Sequence, residues 1–140
     1  MKIKNLIVLA GVAGLLAACG SSSKVIEPID PKTQPMVFFA FDRYDISEDA
    51  RDNLLGQSMY LKENKDTKVQ IAGNCDERGT VEYNLALGAR RANAAKAVIV
   101  KDGVESNRVS TISFGKERPF KLGTGEEVWK WNRNATTTVK

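Results

Sequence analysis

The sequence predicts an α+β fold: a four-stranded sheet with two long helices packed on one face and a short third helix. Three observations carry this. Two long segments repeat apolar residues at helical spacing behind a capping residue, and four short runs are rich in β-branched or aromatic residues. The two kinds alternate along the chain, so each long helix joins one strand to the next. Crossovers of that kind are expected to lay parallel neighbours in one sheet and to leave both helices on the same side.

Each element has its own warrant. Residues 36–41, Met-Val-Phe-Phe-Ala-Phe, are closed by Asp42 and suit a buried strand. Ser47 is a good N-cap, Glu48 and Asp49 favour the positive end of a helix dipole, and Ala50, Leu54 and Leu61 recur at helical spacing. The first helix therefore spans Glu48 to about Glu63. Residues 68–72 form a second strand ended by Gly73, and 74–80 a polar loop. Thr80 caps a second helix from Val81 to about Lys101, with Leu85, Ala89, Ala92 and Ile99 on one face, and Asp102-Gly103 stops it. Residues 108–114 make a third strand ending at Gly115. A polar loop with Pro119, Gly123 and Gly125 leads to a short helix near Glu126–Asn132 and a last strand at 135–139.

The chain has 140 residues, 42% hydrophobic and 27% charged, with no histidine. That is one ordinary globular domain, and the missing imidazole removes His-based triads, imidazole metal sites and the usual near-neutral general base. Nothing calls for a cofactor or a metal. Basic residues outnumber acidic ones 21 to 17, but Lys2 and Lys4 sit in a leader, so the remainder is nearly neutral and is no polyanion binder.

The leader occupies residues 1–18. Lys2 and Lys4 precede an apolar run that is too short for a bilayer span of about 20 residues and ends in Leu16-Ala17-Ala18-Cys19. This ending resembles the lipobox of bacterial lipoproteins, which implies acylation of Cys19 and two or more acyl chains as an anchor; a plain secretory signal with a chance cysteine is the alternative. Gly20 stands where that resemblance places an inner-membrane retention aspartate, so export to an outer membrane is expected. Residues 19–35, with Ser21, Ser22, Ser23, Pro28, Pro31 and Pro35, read as a flexible tether, and 36–140 as the domain. With Cys19 acylated, Cys75 has no disulfide partner and reads as a buried thiol.

The densest polar constellation runs from Gly73 to Thr80 and on into Glu82, Asn84, Arg90 and Arg91. A strand end followed by a helix N-terminus offers backbone N–H groups to an anion, and Gly79 lets a ligand come close. Asp76 supplies the opposite charge, and Arg91 a second cation, so a zwitterionic ligand could bridge them. From spacing alone the plainer reading is favoured, in which Asp76, Glu77, Arg78, Arg90 and Arg91 are a solvated loop and a structural ion-pair network.

Phe39-Ala40-Phe41-Asp42, Tyr44-Asp45-Ile46, Cys75-Asp76-Glu77-Arg78-Gly79-Thr80, Glu82-Tyr83-Asn84, Arg90-Arg91-Ala92, Phe114-Gly115-Lys116-Glu117-Arg118-Pro119 and Asn132-Arg133 occur in order. Together they resemble the peptidoglycan-associated lipoprotein family. The resemblance implies an OmpA-like domain with a mixed four-stranded sheet that holds the diaminopimelate of the peptidoglycan stem noncovalently. By motif position it assigns Asp76 and Arg91 to the ammonium and carboxylate of the free diaminopimelate centre. Asp42 and Phe41 are expected across the pocket, and Thr80, Asn84 and Leu87 along it, although Asn84 and Leu87 also read as helix-packing residues. As partners it implies peptidoglycan, the outer membrane through Cys19, and the Tol machinery, notably TolB, in envelope integrity and cell division.

Two positions depart from the family pattern. Asn74 stands where the family has histidine, and Asn134 where it has a second arginine. A wall-degrading enzyme built on Cys75, or on Asp76 and Glu77, is a weaker reading, because the thiol has no histidine base and the carboxylates have no apolar partner evident in the sequence to raise a pKa.

Overall fold

The computed structural model describes Gly20 and residues 23–140; the leader and Cys19, with the readings made on them, lie outside the described residues. The strands are β1 (Met36–Phe38), β2 (Val69–Asn74), β3 (Val109–Gly115) and β4 (Asn134–Val139), in the sheet order β1-β4-β2-β3. The helices α1 (Glu48–Glu63), α2 (Val81–Lys101) and α3 (Glu126–Asn132) begin and end where the sequence places them. Their starts are chemically marked. Ser47 Oγ accepts the Ala50 N–H at 3.2 Å, and Thr80 Oγ1 accepts the Tyr83 N–H at 3.1 Å.

The sheet is mixed, with β2 and β3 parallel and β4 antiparallel to both β1 and β2. Only α2 therefore joins parallel neighbours. The crossover through α1 leaves a gap between β1 and β2, and β4, returning from the short α3, fills it. This corrects the expectation of two parallel neighbour pairs. The strand ends also differ. The first strand stops at Phe38 because the chain leaves the sheet in a turn, Arg43 N–H to Ala40 carbonyl, with Asp42 in the left-handed region at φ 56°. Gly73 does not end β2, which continues through Asn74 past a register shift against β3.

Leu54, Leu61, Val69, Ile71, Ala92, Ala95, Ile99 and Val109 form the centre of the core between the two long helices and the sheet. Leu85, read as part of that face, is exposed; the buried stripe of α2 runs Asn84, Leu87, Gly88, Arg91, Ala92, Ala95 and Ile99. Two of its members are polar, which is why apolar periodicity alone misplaces the stripe. The close seat of α2 depends on glycine. A Cβ at Gly73 would stand 1.7 Å from the Gly88 carbonyl oxygen, and one at Gly88 would stand 2.3 Å from Ser113 Oγ.

The reading of 19–35 as a tether needs correction for its second half. Ile29 N–H donates to the Gly56 carbonyl at 2.9 Å, and the Glu27 carbonyl passes 2.6 Å from where a Cβ of Gly56 would be. Asp30 caps a 3-10 turn, Pro31–Thr33, Pro31 is buried, and the Thr137 N–H donates to the Pro35 carbonyl at 3.0 Å. A serine- and proline-rich segment can thus be fixed by backbone bonds to a domain without contributing a periodic pattern of its own.

Candidate functional site

At the ends of β1 and β2 the loop 39–47, the loop 75–80 and the first turns of α2 enclose a hollow of about 450 Å³. Its wall includes Phe41, Asp42, Asp76, Thr80, Asn84, Leu87 and Arg91, all seven residues assigned to a ligand from sequence. It also includes Cys75, Arg78, Gly79 and Tyr83, which that assignment leaves out.

Arg91 is buried to 1% exposure and reaches back under both loops. Its Nε donates to the Arg43 carbonyl at 2.8 Å, Nη1 to the Asn74 carbonyl at 2.8 Å, and Nη2 to the Ala40 carbonyl at 3.2 Å. A planar fork satisfies three diverging carbonyls that a lysine could not, and two of its five N–H groups remain. Burial draws its pKa down from the usual arginine range. The helix length that separates Arg91 from Asp76 in sequence is undone by this backward reach.

Asp76 is also buried, with 5% of its side chain exposed. Arg78 Nε donates to Oδ1 at 3.1 Å and Nη2 to Oδ2 at 2.8 Å, the Arg78 backbone N–H adds 3.1 Å, and Arg133 Nη1 lies 3.5 Å from Oδ2. Burial alone raises the Asp76 carboxyl, but the Arg78 hydrogen bonds and charge, with Arg133, outweigh it and hold the group below the usual carboxylate range. Arg133 is fixed in turn by Glu126 and by the Phe39 carbonyl, to which its Nε donates at 2.9 Å.

Arg78 is the residue whose role the sequence hides. Its guanidinium packs 3.8 Å from the Phe41 ring centroid and 4.0 Å from that of Trp129, and only the fold brings those rings together. Glu77 braces the same corner, accepting Thr124 Oγ1–H at 2.8 Å and Trp129 Nε1–H at 3.1 Å. Asn84 is a brace as well as a wall, since Nδ2 donates to the Arg78 and Thr80 carbonyls at 2.8 and 2.9 Å. Leu87 is buried among core residues while lining the hollow. Across the mouth, the Tyr83 hydroxyl donates to Asp42, which raises the phenol pKa. Cys75 is buried; its Sγ–H donates to the Asn84 carbonyl at 3.3 Å, and burial pushes the thiol up. Chemically, this is a hollow with a carboxylate on one wall and a guanidinium on another. Among the described residues no group of three or more His, Cys, Asp or Glu is placed to hold a metal ion. No helix among them is long and apolar enough to cross a membrane.

The family model described as OmpA family matches residues 38–133. The peptidoglycan-associated lipoprotein of Pasteurella multocida is 38% identical over 145 residues, covering 96% of each chain. That of Mesorhizobium japonicum is 47% identical over 103 residues, 74% of this chain and 61% of its own. The crystal structure of the peptidoglycan-associated lipoprotein from Burkholderia pseudomallei superposes with a TM-score of 0.75 at 38% identity, over 79% of this chain and 93% of that one. The C-terminal domain of Helicobacter pylori MotB, at TM-score 0.70 and 18% identity over 76% and 84% of the two chains, shares the fold alone.

Proposed function

Because the chain belongs to the OmpA family and, within it, to the peptidoglycan-associated lipoproteins, we propose that its pocket holds the diaminopimelate of a peptidoglycan stem. The observation that supports this is the meeting of Asp76 and Arg91, far apart in sequence, in one hollow with Asp42, Phe41, Thr80, Asn84 and Leu87. In this reading Asp76 and the nearby Asp42 take the ligand ammonium. The two free N–H groups of Arg91 take its carboxylate, and Phe41 covers the methylene chain. Charge-assisted pairs of this kind are about twice as strong as neutral ones and demand that both ends of the zwitterion be placed. The role is binding, not catalysis. Acylated Cys19 would anchor the chain in the outer membrane with the domain in the periplasm, and TolB and other Tol proteins are the proposed protein partners.

The test is retention of the mature chain on purified sacculi with and without free meso-diaminopimelate. Retention that the amino acid competes away is the expected result. Retention indifferent to it, with equal binding to walls that carry lysine instead, would place the recognition elsewhere on the stem.

A further inference from the structure

We propose that Phe120, Leu122 and Trp131, with Lys121 and Lys130, form a surface that rests on an anionic phospholipid membrane, on the side of α3 turned away from the pocket.

The fold holds this apolar group out in solvent deliberately. Lys121 N–H donates to Asn132 Oδ1 at 2.8 Å, and Asn132 Nδ2 donates back to the Lys121 carbonyl at 2.8 Å. Asn132 is itself buried, so the loop tip is pinned, yet Phe120 stays 60% and Leu122 83% exposed. Trp131 meets Phe38 edge-on at 5.6 Å and Phe120 at 6.3 Å, which makes one continuous apolar area rather than scattered residues. Residues two apart on a helix project about 200° apart. Hence Trp129 packs on Arg78 at the pocket while Trp131 faces the other way. Ligand binding and surface contact do not compete for the same side of the domain.

Two features favour a lipid surface over a protein or a second copy. The chemistry is interfacial, with aromatic and aliphatic tips beside Lys121, which pairs with no carboxylate among the described residues, and beside Lys130, paired only with exposed Glu127. The chain also enters the domain nearby. Lys24 is held by Asp49 and Asp52 of α1 at 3.5 and 2.8 Å, and α1 packs on β1, the strand that carries Phe38. Cys19 precedes Lys24 by five residues, a reach of about 17 Å when extended. An anchor at Cys19 would bring this side to the membrane, so the inference rests on that part of the proposed function.

The experiment is quenching of tryptophan fluorescence by brominated lipid in the mature chain on vesicles of phosphatidylcholine with phosphatidylglycerol. Expected is a quenched component that is absent in Trp131→Phe, lost in Phe120→Ser/Leu122→Ser, and weakened by Lys121→Glu or by phosphatidylcholine alone. Intact mass of the same sample reports acylation separately. An unacylated chain that is still quenched would keep the surface and discard the anchor. An acylated chain whose quenching is absent, or unchanged in the double variant, would overturn the surface. So would a double variant that turns a dimer into a monomer in sedimentation, since a second copy would then cover the patch.

Discussion

Asn74 Nδ2 donates to Asn134 Oδ1 at 2.9 Å, so two buried amides are bonded to each other across β2 and β4. The pair is not symmetric. Asn134 also accepts the Thr136 hydroxyl and donates to the Trp131 carbonyl at 2.7 Å, whereas the buried Oδ1 of Asn74 has no partner. Removing Asn134 strands more groups than removing Asn74. Asn134→Ala is expected to cost about 1–3 kcal/mol and Asn74→Ala less. Urea unfolding of the single and double variants checks this, and strictly additive losses would show that the bond couples nothing.

A second prediction concerns the seat of α2. Gly73→Ala drives a methyl into a backbone carbonyl that cannot rotate away, whereas Gly88→Ala meets first a serine hydroxyl that can. Gly73→Ala should therefore cost about 3 kcal/mol or more, the upper end for overpacking, and Gly88→Ala less. Thermal melts rank the two, and the reverse order would contradict the argument.

How much of this was legible in the sequence follows physical lines. Helix limits were readable because Ser47, Thr80 and Asp102-Gly103 act locally, and the motif order carried the pocket wall through resemblance. The insertion of β4 between β1 and β2 was not readable, since strand order depends on contacts far apart in sequence. Nor was the packing of Arg78 on Phe41 and Trp129, because those three residues lie in separate segments. The docking of residues 26–35 escaped for a related reason: it depends on backbone hydrogen bonds and on Gly56, a mid-helix glycine that reads as a weak point until the chain crossing it is seen.

The dependence of stability on pH follows from the carboxylates. Asp76 is held low by Arg78 and Arg133 against the opposing effect of burial, and Glu126 by the hydrogen bond from Arg133. A carboxyl whose folded pKa lies below its unfolded value stabilises the fold above the unfolded value, and that contribution is lost as pH falls through the folded one. With no histidine to titrate, the urea midpoint should stay nearly flat from about pH 8 to about pH 5 and fall only below about pH 4. Asp76→Asn should be less stable than wild type at neutral pH, with the gap closing in acid. A transition near pH 6 would contradict this.

Cys75 should behave as packing. Its buried, raised thiol is expected to resist alkylation at neutral pH in the folded chain and to react once the chain is unfolded. Cys75→Ser should bind sacculi with modest destabilisation. Loss of binding in a variant with wild-type circular dichroism would give the thiol a part in recognition.

The pocket pair demands variants that separate fold from recognition. Arg91→Ala removes the donor to three carbonyls, those of Ala40, Arg43 and Asn74, and Arg91→Lys cannot reproduce a fork that reaches all three. Both should melt well below wild type, so their weak binding would prove little alone. Asp76→Asn is the cleaner probe: it keeps the shape that Arg78 and Arg133 surround and leaves the carbonyl bonds of Arg91 in place, while removing the charge that those two arginines share with a ligand ammonium. It should bind sacculi at least thirtyfold more weakly, equivalent to about 2 kcal/mol or more. Measured below its melting transition, wild-type binding by Asp76→Asn would assign Asp76 to the loop's own ion pairs and leave the ligand ammonium to Asp42 alone.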